Sequence, residues 1–198
     1  MSEFTPTRSV VLELKDERRA MQEGYVFLDE KCLLLAGEML RELERYAALQ
    51  RAFLAGWDAA VTALQRAVAR HGLDGLQVYP PVDLGAAALR RTPRTLMGVA
   101  LQQAEFVVDP VPTPPSVERS PEAEACRRAF RQLFVHAAPL AAVAGNLTRL
   151  EQEYRRAVRR ARALQDVLLP ELDHVLYDIE TRLEELEQED AIWMRHGK

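Results

Sequence analysis

Aromatic residues make up only 7% of this 198-residue chain, too few to fill a sheet core, whereas 28% of its residues are charged, which suits solvated helices. Cysteine is nearly absent. Cys32 and Cys126 stand far apart with no CxxC spacing, which argues against a disulfide framework and against a zinc site. Two free thiols fit a reducing, cytoplasmic compartment. A basic surplus is missing too: the formal charge of -4 argues against general nucleic-acid binding, which needs excess lysine and arginine to displace counterions from phosphate. The longest uncharged run, 132–148, contains His136, Pro139, Gly145 and Asn146 and falls short of the ~20 apolar residues of a membrane span. Residues 1–9 are polar and 13–19 are charged at nearly every step, so no signal peptide is expected.

Chemical motifs are equally scarce. No Gly-x-x-x-x-Gly-Lys phosphate loop occurs, and Gly197-Lys198 has no helix after it. His71, His136, His174 and His196 show no i, i+4 pairing of the kind a helical metal site uses. A four-helix-bundle enzyme would need inward Glu-x-x-His motifs, and His174, next to Asp173, is the histidine that comes nearest to this pattern. No catalytic residue, metal or cofactor is expected. His136 reads as a core histidine, and Cys32 as a small hydrophobe on a helix seam.

What the chain does have is two long apolar seams. Proline is missing from residues 8–79, eight prolines fall between Pro80 and Pro121, and only Pro139 and Pro170 follow. In the first proline-free stretch Val11, Leu14, Arg18, Met21, Tyr25, Leu28, Cys32, Leu35 and Met39 recur at alternating steps of three and four, the spacing of a coiled coil. Ser120-Pro121-Glu122 marks the start of the last helix with a capping serine, a proline in the first helical position and an acid in the first turn. Its seam runs through Leu140, Val143, Leu147, Leu150, Tyr154, Ala157, Ala161, Leu164 and Leu168 to Leu186, and Pro139 and Pro170 should kink or loosen it. Matched seams joined by a compact middle fold back antiparallel, with paired residue numbers summing to roughly 197. The fold class is therefore all-α dominated: a long antiparallel two-helix coiled coil with a short central β-hairpin. One elongated domain is expected, with a helix over 7–70, a hairpin and proline-rich connector over 71–119, and a helix over 120–192.

Leu76 to Leu84 and Val99 to Val108 are the expected strands, and Pro110, Pro112, Pro114 and Pro115 form a stiff connector. Residues 52–69 and 129–147 are apolar on more than one face, which a two-stranded seam cannot bury, so either the middle segment or a partner must add a layer. Arg18, the one charged residue on the first seam, faces the neighbourhood of Ile179 in this register, so an ion pair with Glu180 or an adjacent acid is expected.

Three stretches resemble the D-subunit family of V-type ATPases, in that family's order and spacing. They are Pro6-Thr7-Arg8 with Leu12, Leu14-Lys15, Arg18, Ala20, Gly24-Tyr25, Leu28 and Lys31; Met97-Gly98-Val99; and Arg159-Arg160, Ala163-Leu164, Pro170-Glu171-Leu172, Ile179, Arg182-Leu183 and the acids from Glu184 to Asp190. The chain departs from the pattern at Cys32, Arg162 and Ala191-Ile192-Trp193-Met194, and is similar to a divergent bacterial member. The resemblance implies a non-catalytic central rotor stalk. It would couple ATP hydrolysis or synthesis in a head of A and B subunits to ion translocation, bound also to the F subunit and to the subunit that docks on the membrane ring. It further implies a cytoplasmic place, peripheral to the membrane. In that reading the basic band Arg155, Arg156, Arg159, Arg160 and Arg162 meets the head, while Trp57, Val61, Met97, Gly98, Val99 and Phe134 lie at a foot that meets partners. The rival reading of the same seams is a free-standing antiparallel coiled-coil adaptor or dimerisation protein.

Overall fold

The computed structural model describes residues 6–81, 87–108 and 119–196. Its elements are α1 (Arg8–Leu76), β1 (Ala87–Leu96), β2 (Val99–Val108), α2 (Pro121–Ala163), a π-helical turn (Leu164–Leu168) and α3 (Leu169–His196). The fold is dominated by helix, with one antiparallel hairpin between the long helices. The proline-rich connector expected at Pro110 to Pro115 lies outside the described residues.

Local chemistry sets the helix ends. Thr7 caps α1: its Oγ1 accepts from the Val10 amide at 3.4 Å and its carbonyl from the Val11 amide at 3.2 Å. Ser120 caps α2, accepting from the Ala123 amide through Oγ at 3.2 Å and from the Glu124 amide through its carbonyl at 3.0 Å. Pro121 then takes the first helical position, where a missing N–H costs nothing. Near the end of α1, Gly72 sits at φ 71° and ψ 169°, so the element is two helices joined at a kink there. A positive φ of this size is open to glycine at little cost.

Pro139 lies inside α2 without ending it, whereas Pro170 acts on its surroundings. Its ring leaves no donor for the Asp166 carbonyl and crowds it. The chain answers with the π-helical turn immediately before, in which the Leu169 amide bonds the Leu164 carbonyl, five residues back.

The residues group into two compact units, Met1–Leu34 with Tyr154–Lys198, and Leu35–Glu153. The first has a core of Val11, Leu14, Leu176 and Ile179, with Val10 and Leu172 packed against it. The second buries Leu35, Ala60, Ala67, Leu133, Val143 and Leu150, together with Val99 and Leu101 of the hairpin. Small residues on α1 let α2 come close: a Cβ at Gly56 would lie 3.6 Å from Leu133 Cδ1 and 3.4 Å from His136 Cδ2.

In each unit the facing residue numbers sum to roughly 190, about seven less than the spacing suggests: Val11 and Leu14 pack with Ile179 and Leu176 in the first, and His71 meets Ser120 at 2.7 Å in the second. The Gly72 kink stops the paired stretch at that point. A slip of one heptad keeps every seam residue on the seam, so the apolar pattern alone does not select between the two registers.

The hairpin also starts later than expected. Leu76 still belongs to α1, turns at Asp74–Gln77 and Leu76–Tyr79 follow, and the first strand is β1, paired from Ala87↔Val108 to Leu96↔Val99. Its sequence, AALRRTPRTL, shows no alternation because residues 88–95 are exposed on both faces of the strand. The second strand, Val99–Val108, lies where the β-branched residues place it.

Candidate functional site

Between the hairpin and the two helices of the second unit lies a buried polar cluster. Glu38 and Glu42 of α1 are 4% and 1% exposed, and Asn146 of α2 is 2% exposed. Buried carboxylates persist only when paired and hydrogen-bonded. Here Arg94 of β1 binds Glu38 and stands 3.7 Å from Glu42, Arg41 bonds Glu38 at 2.9 Å, and Arg45 bonds Glu42 at 2.9 Å. Burial pushes the Glu38 carboxyl up, but the hydrogen bond and charge of Arg94, with Arg41 beside them, hold it below the ordinary carboxylate value.

Asn146 joins this cluster to β2. Its Oδ1 accepts from the Gln102 amide at 2.9 Å, and its Nδ2 donates to the Gln102 carbonyl at 2.9 Å and to Glu42 Oε2 at 3.1 Å. Arg149 adds a 2.8 Å bond to the same Oδ1, while its Nε is buried without a partner. The side-chain amide thus behaves as a third strand's backbone would, closing the edge of β2 where a hairpin leaves polar groups open. Gln102 sits opposite Pro93, so Pro93 occupies a position whose missing N–H the ladder does not need.

The tip of the hairpin is set by its two central residues. Met97 has φ 46° and Gly98 φ 84°, between the paired Leu96 and Val99, so both adopt the left-handed conformation that a tight two-residue hairpin turn requires. Gly98 suits it and Met97 does not, which stores local strain at the tip. The Met97-Gly98-Val99 motif is in physical terms a turn followed by an inward residue: Val99 is buried, Met97 half-buried and Gly98 exposed.

The other sequence-selected residues scatter. Trp57 and Phe134 are exposed and Val61 is half-buried, with Phe134 5.9 Å from Phe106 of β2 in a tilted ring contact. Arg155, Arg156, Arg159, Arg160 and Arg162 are all exposed on α2. In the first unit Arg18 pairs with Asp173, one heptad before Glu180, and Glu180 pairs with Lys15 at 2.6 Å. The Arg18 hydrogen bond and charge hold the Asp173 carboxyl below its ordinary range. Arg8 and Glu187, 2.8 Å apart, extend the same row of exposed ion pairs.

Both cysteines are half-buried free thiols. Burial raises each above the ordinary thiol value, with Asp29 adding to the shift at Cys32, so neither is activated as a nucleophile. Glu171 and His174 do stand at Glu-x-x-His spacing, but both are exposed, and His174 lies 3.7 Å from Asp178. Among the described residues no group of three His, Cys, Asp or Glu is arranged to hold a metal ion, and no helix is long and apolar enough to cross a membrane.

The polar cluster escaped sequence reading. One signal was present: Glu38 and Glu42, four apart, share a helix face with seam residues Leu35 and Met39 rather than the solvated one. Nothing in the sequence tells which strand residue answers them.

Compared with known proteins, residues 10–198 match the family described as the D subunit of ATP synthase. The D subunit of the V-type ATP synthase of Thermotoga neapolitana is 24% identical over 194 residues, covering 98% of this chain and 96% of that one. The D subunit of the A-type ATP synthase of Pyrococcus furiosus is 26% identical, covering 98% and 92%. For the D subunit of the V-type ATP synthase of Thermus thermophilus the identity is 28%, covering 100% and 89%.

Proposed function

The chain belongs to the D-subunit family of ATP synthases, and from that membership we propose that it is the central rotor stalk of a V-type rotary ATPase. It couples ATP hydrolysis or synthesis in a head of A and B subunits to ion translocation, carries the F subunit and the subunit that docks on the membrane ring, and stays on the cytoplasmic side, peripheral to the membrane. It is not itself the catalyst. The observation that carries this reading is the near end-to-end family match, borne by two long helices with a hairpin between them.

A stalk needs side chains that present unlike faces to the head. Exposed Arg159, Arg160 and Arg162 offer one such face, and the exposed Trp193 and Met194 at the end of α3 offer another. Charged surface slides past a partner without separating apolar contacts, so the arginines suit a moving interface. Unequal contacts with the catalytic interfaces change their nucleotide affinities in turn as the stalk rotates, and in equilibrium binding the nucleotide state biases the stalk angle by the same free energy. The Arg94, Glu38, Glu42 and Asn146 cluster makes the hairpin turn with the helices that carry it.

Co-expression with the cognate A, B and F subunits tests this. The expected result is a stable complex whose ATP hydrolysis drives ion transport only when this chain is present. A chain that binds neither the head nor the F subunit would be the free-standing coiled-coil adaptor instead.

A further inference from the structure

A second coiled-coil seam lies on α1, away from the one that pairs with α2. Leu40, Leu43, Ala47, Gln50, Leu54 and Trp57 follow one another at steps of three, four, three, four and three, and all six are exposed. Leu40 is 64% exposed and Trp57 48%. Ala36 and Val61 continue the spacing by one step at each end, and both are half-buried. The residues that take the hairpin, Glu38 and Glu42, and the buried Ala60 and Ala67, occupy other heptad positions. The hairpin and α2 therefore leave this seam uncovered. Exposed apolar residues scattered singly need no explanation, but five of them at strict heptad spacing, with Gln50 the one polar member, form a surface shaped for another helix.

We propose that the seam is the interface of an antiparallel dimer between two copies of the free chain. Antiparallel coiled coils set each first-type seam position against a second-type one, and the spacing of this seam, three, four, three, four, three, is the same in both directions. Leu40 meets the second copy's Trp57, Leu43 its Leu54, and Ala47 its Gln50, each layer occurring twice by symmetry. Large residues face large ones toward the ends, and the small Ala47 makes room for the two Gln50 side chains beside the two-fold axis, where amide hydrogen bonds fix the register.

The flanking charges choose the same arrangement. The positions bordering the seam on its outer side are Gly37, Glu44, Arg51 and Asp58. In the antiparallel dimer Glu44 stands beside the second copy's Arg51, Arg51 beside its Glu44, and Asp58 beside its Gly37, so two opposite-charge contacts form and no like charges meet. A parallel pairing would set the same charges against Met39, Tyr46 and Phe53, which offer them nothing. The dimer goes beyond the stalk reading: it covers this apolar face of the chain outside the assembly, and any partner that uses the same seam must displace it.

The test is the mass of the purified full-length chain in solution, by light scattering and sedimentation equilibrium at micromolar concentration. The expected result is twice the 22.4 kDa of one chain. Leu40→Asp and Leu54→Asp, at exposed positions, should each give a folded monomer with unchanged helical circular dichroism. Glu44→Arg alone and Arg51→Glu alone should each weaken dimerisation by about tenfold, and the double exchange should restore it. A wild-type monomer would overturn the proposal, as would a dimer indifferent to Leu40→Asp and Leu54→Asp or a double exchange that fails to rescue. A monomer that binds the ATPase head or the F subunit through Leu40 and Leu54 would also overturn it while leaving the stalk reading intact.

Discussion

Asn146 holds Gln102 by both of its backbone groups, accepting from the amide and donating to the carbonyl at 2.9 Å each, from a helix 44 residues away in sequence. This side chain therefore holds β2 on the helices of its unit, as Arg94 does for β1 through Glu38. The third bond of Asn146, to Glu42, ties that hold to the buried acids.

Replacing Asn146 separates two kinds of loss. Asn146→Leu keeps the branched shape but strands both Gln102 groups, which should cost about 2 kcal/mol. Asn146→Asp brings a third carboxylate beside Glu42 and removes the donor, so it should cost more, about 3 to 5 kcal/mol. Denaturant midpoints give the order, and hydrogen exchange at the Gln102 amide should accelerate in both. An Asp variant as stable as the Leu variant would mean that Glu42 is not the acceptor.

Glu38 predicts a pH window. Its folded-state pKa is depressed relative to the unfolded chain, so its ionised form adds stability at neutral pH, and that contribution disappears as pH falls through the ordinary carboxylate range and below it. Glu38→Gln cannot ionise. The wild type should therefore exceed the variant by about 2 kcal/mol at pH 7 and converge on it in acid. A constant gap across the range would show that charge at Glu38 contributes nothing.

The hairpin tip predicts gains as well as losses. A Cβ at Gly98 would meet nothing within 4 Å, so Gly98→Val acts through backbone strain alone and should cost about 1 to 2 kcal/mol. Met97→Asn places a residue tolerant of positive φ at the first turn position and should stabilise by about 0.5 kcal/mol. Thermal midpoints of the two variants should move in opposite directions.

The basic band should matter to association and not to folding. Replacing Arg159, Arg160 and Arg162 together by alanine removes exposed charge, so each change should alter stability by at most about 0.5 kcal/mol. Association with the A and B head should slow, most at low salt, because charged rims act on encounter rates and are screened as salt rises. Stopped-flow association across ionic strengths reads this directly, and a salt-independent rate would remove the band from the interface.

Sequence pattern carried the helices, the Ser120 cap and the second strand, because amphipathic spacing and the Ser120-Pro121 signal are local, whereas the Thr7 cap of α1 appears only in the structure. It lost the heptad register, since a slip of seven leaves every apolar residue in place, and Arg18 accordingly pairs with Asp173 while Glu180 pairs with Lys15. It lost β1 because a strand exposed on both faces has no alternation to read. The polar cluster was invisible for a different reason: Glu38, Arg94 and Asn146 become neighbours only when the hairpin is laid on the helices. Pro170 was legible as a disturbance, and the structure supplied its form.

That form has a mechanical meaning. In the π turn from Leu164 to Leu168 none of the residues is buried, and wider hydrogen-bonded rings replace the regular ladder. A helix twisted about its own axis strains first where its bonds are least regular and its neighbours hold it least. Any twist applied along this helix would therefore concentrate at one marked place, a compliant joint a few residues long, which can store angle and give it back while the packed segments on either side turn as rigid pieces.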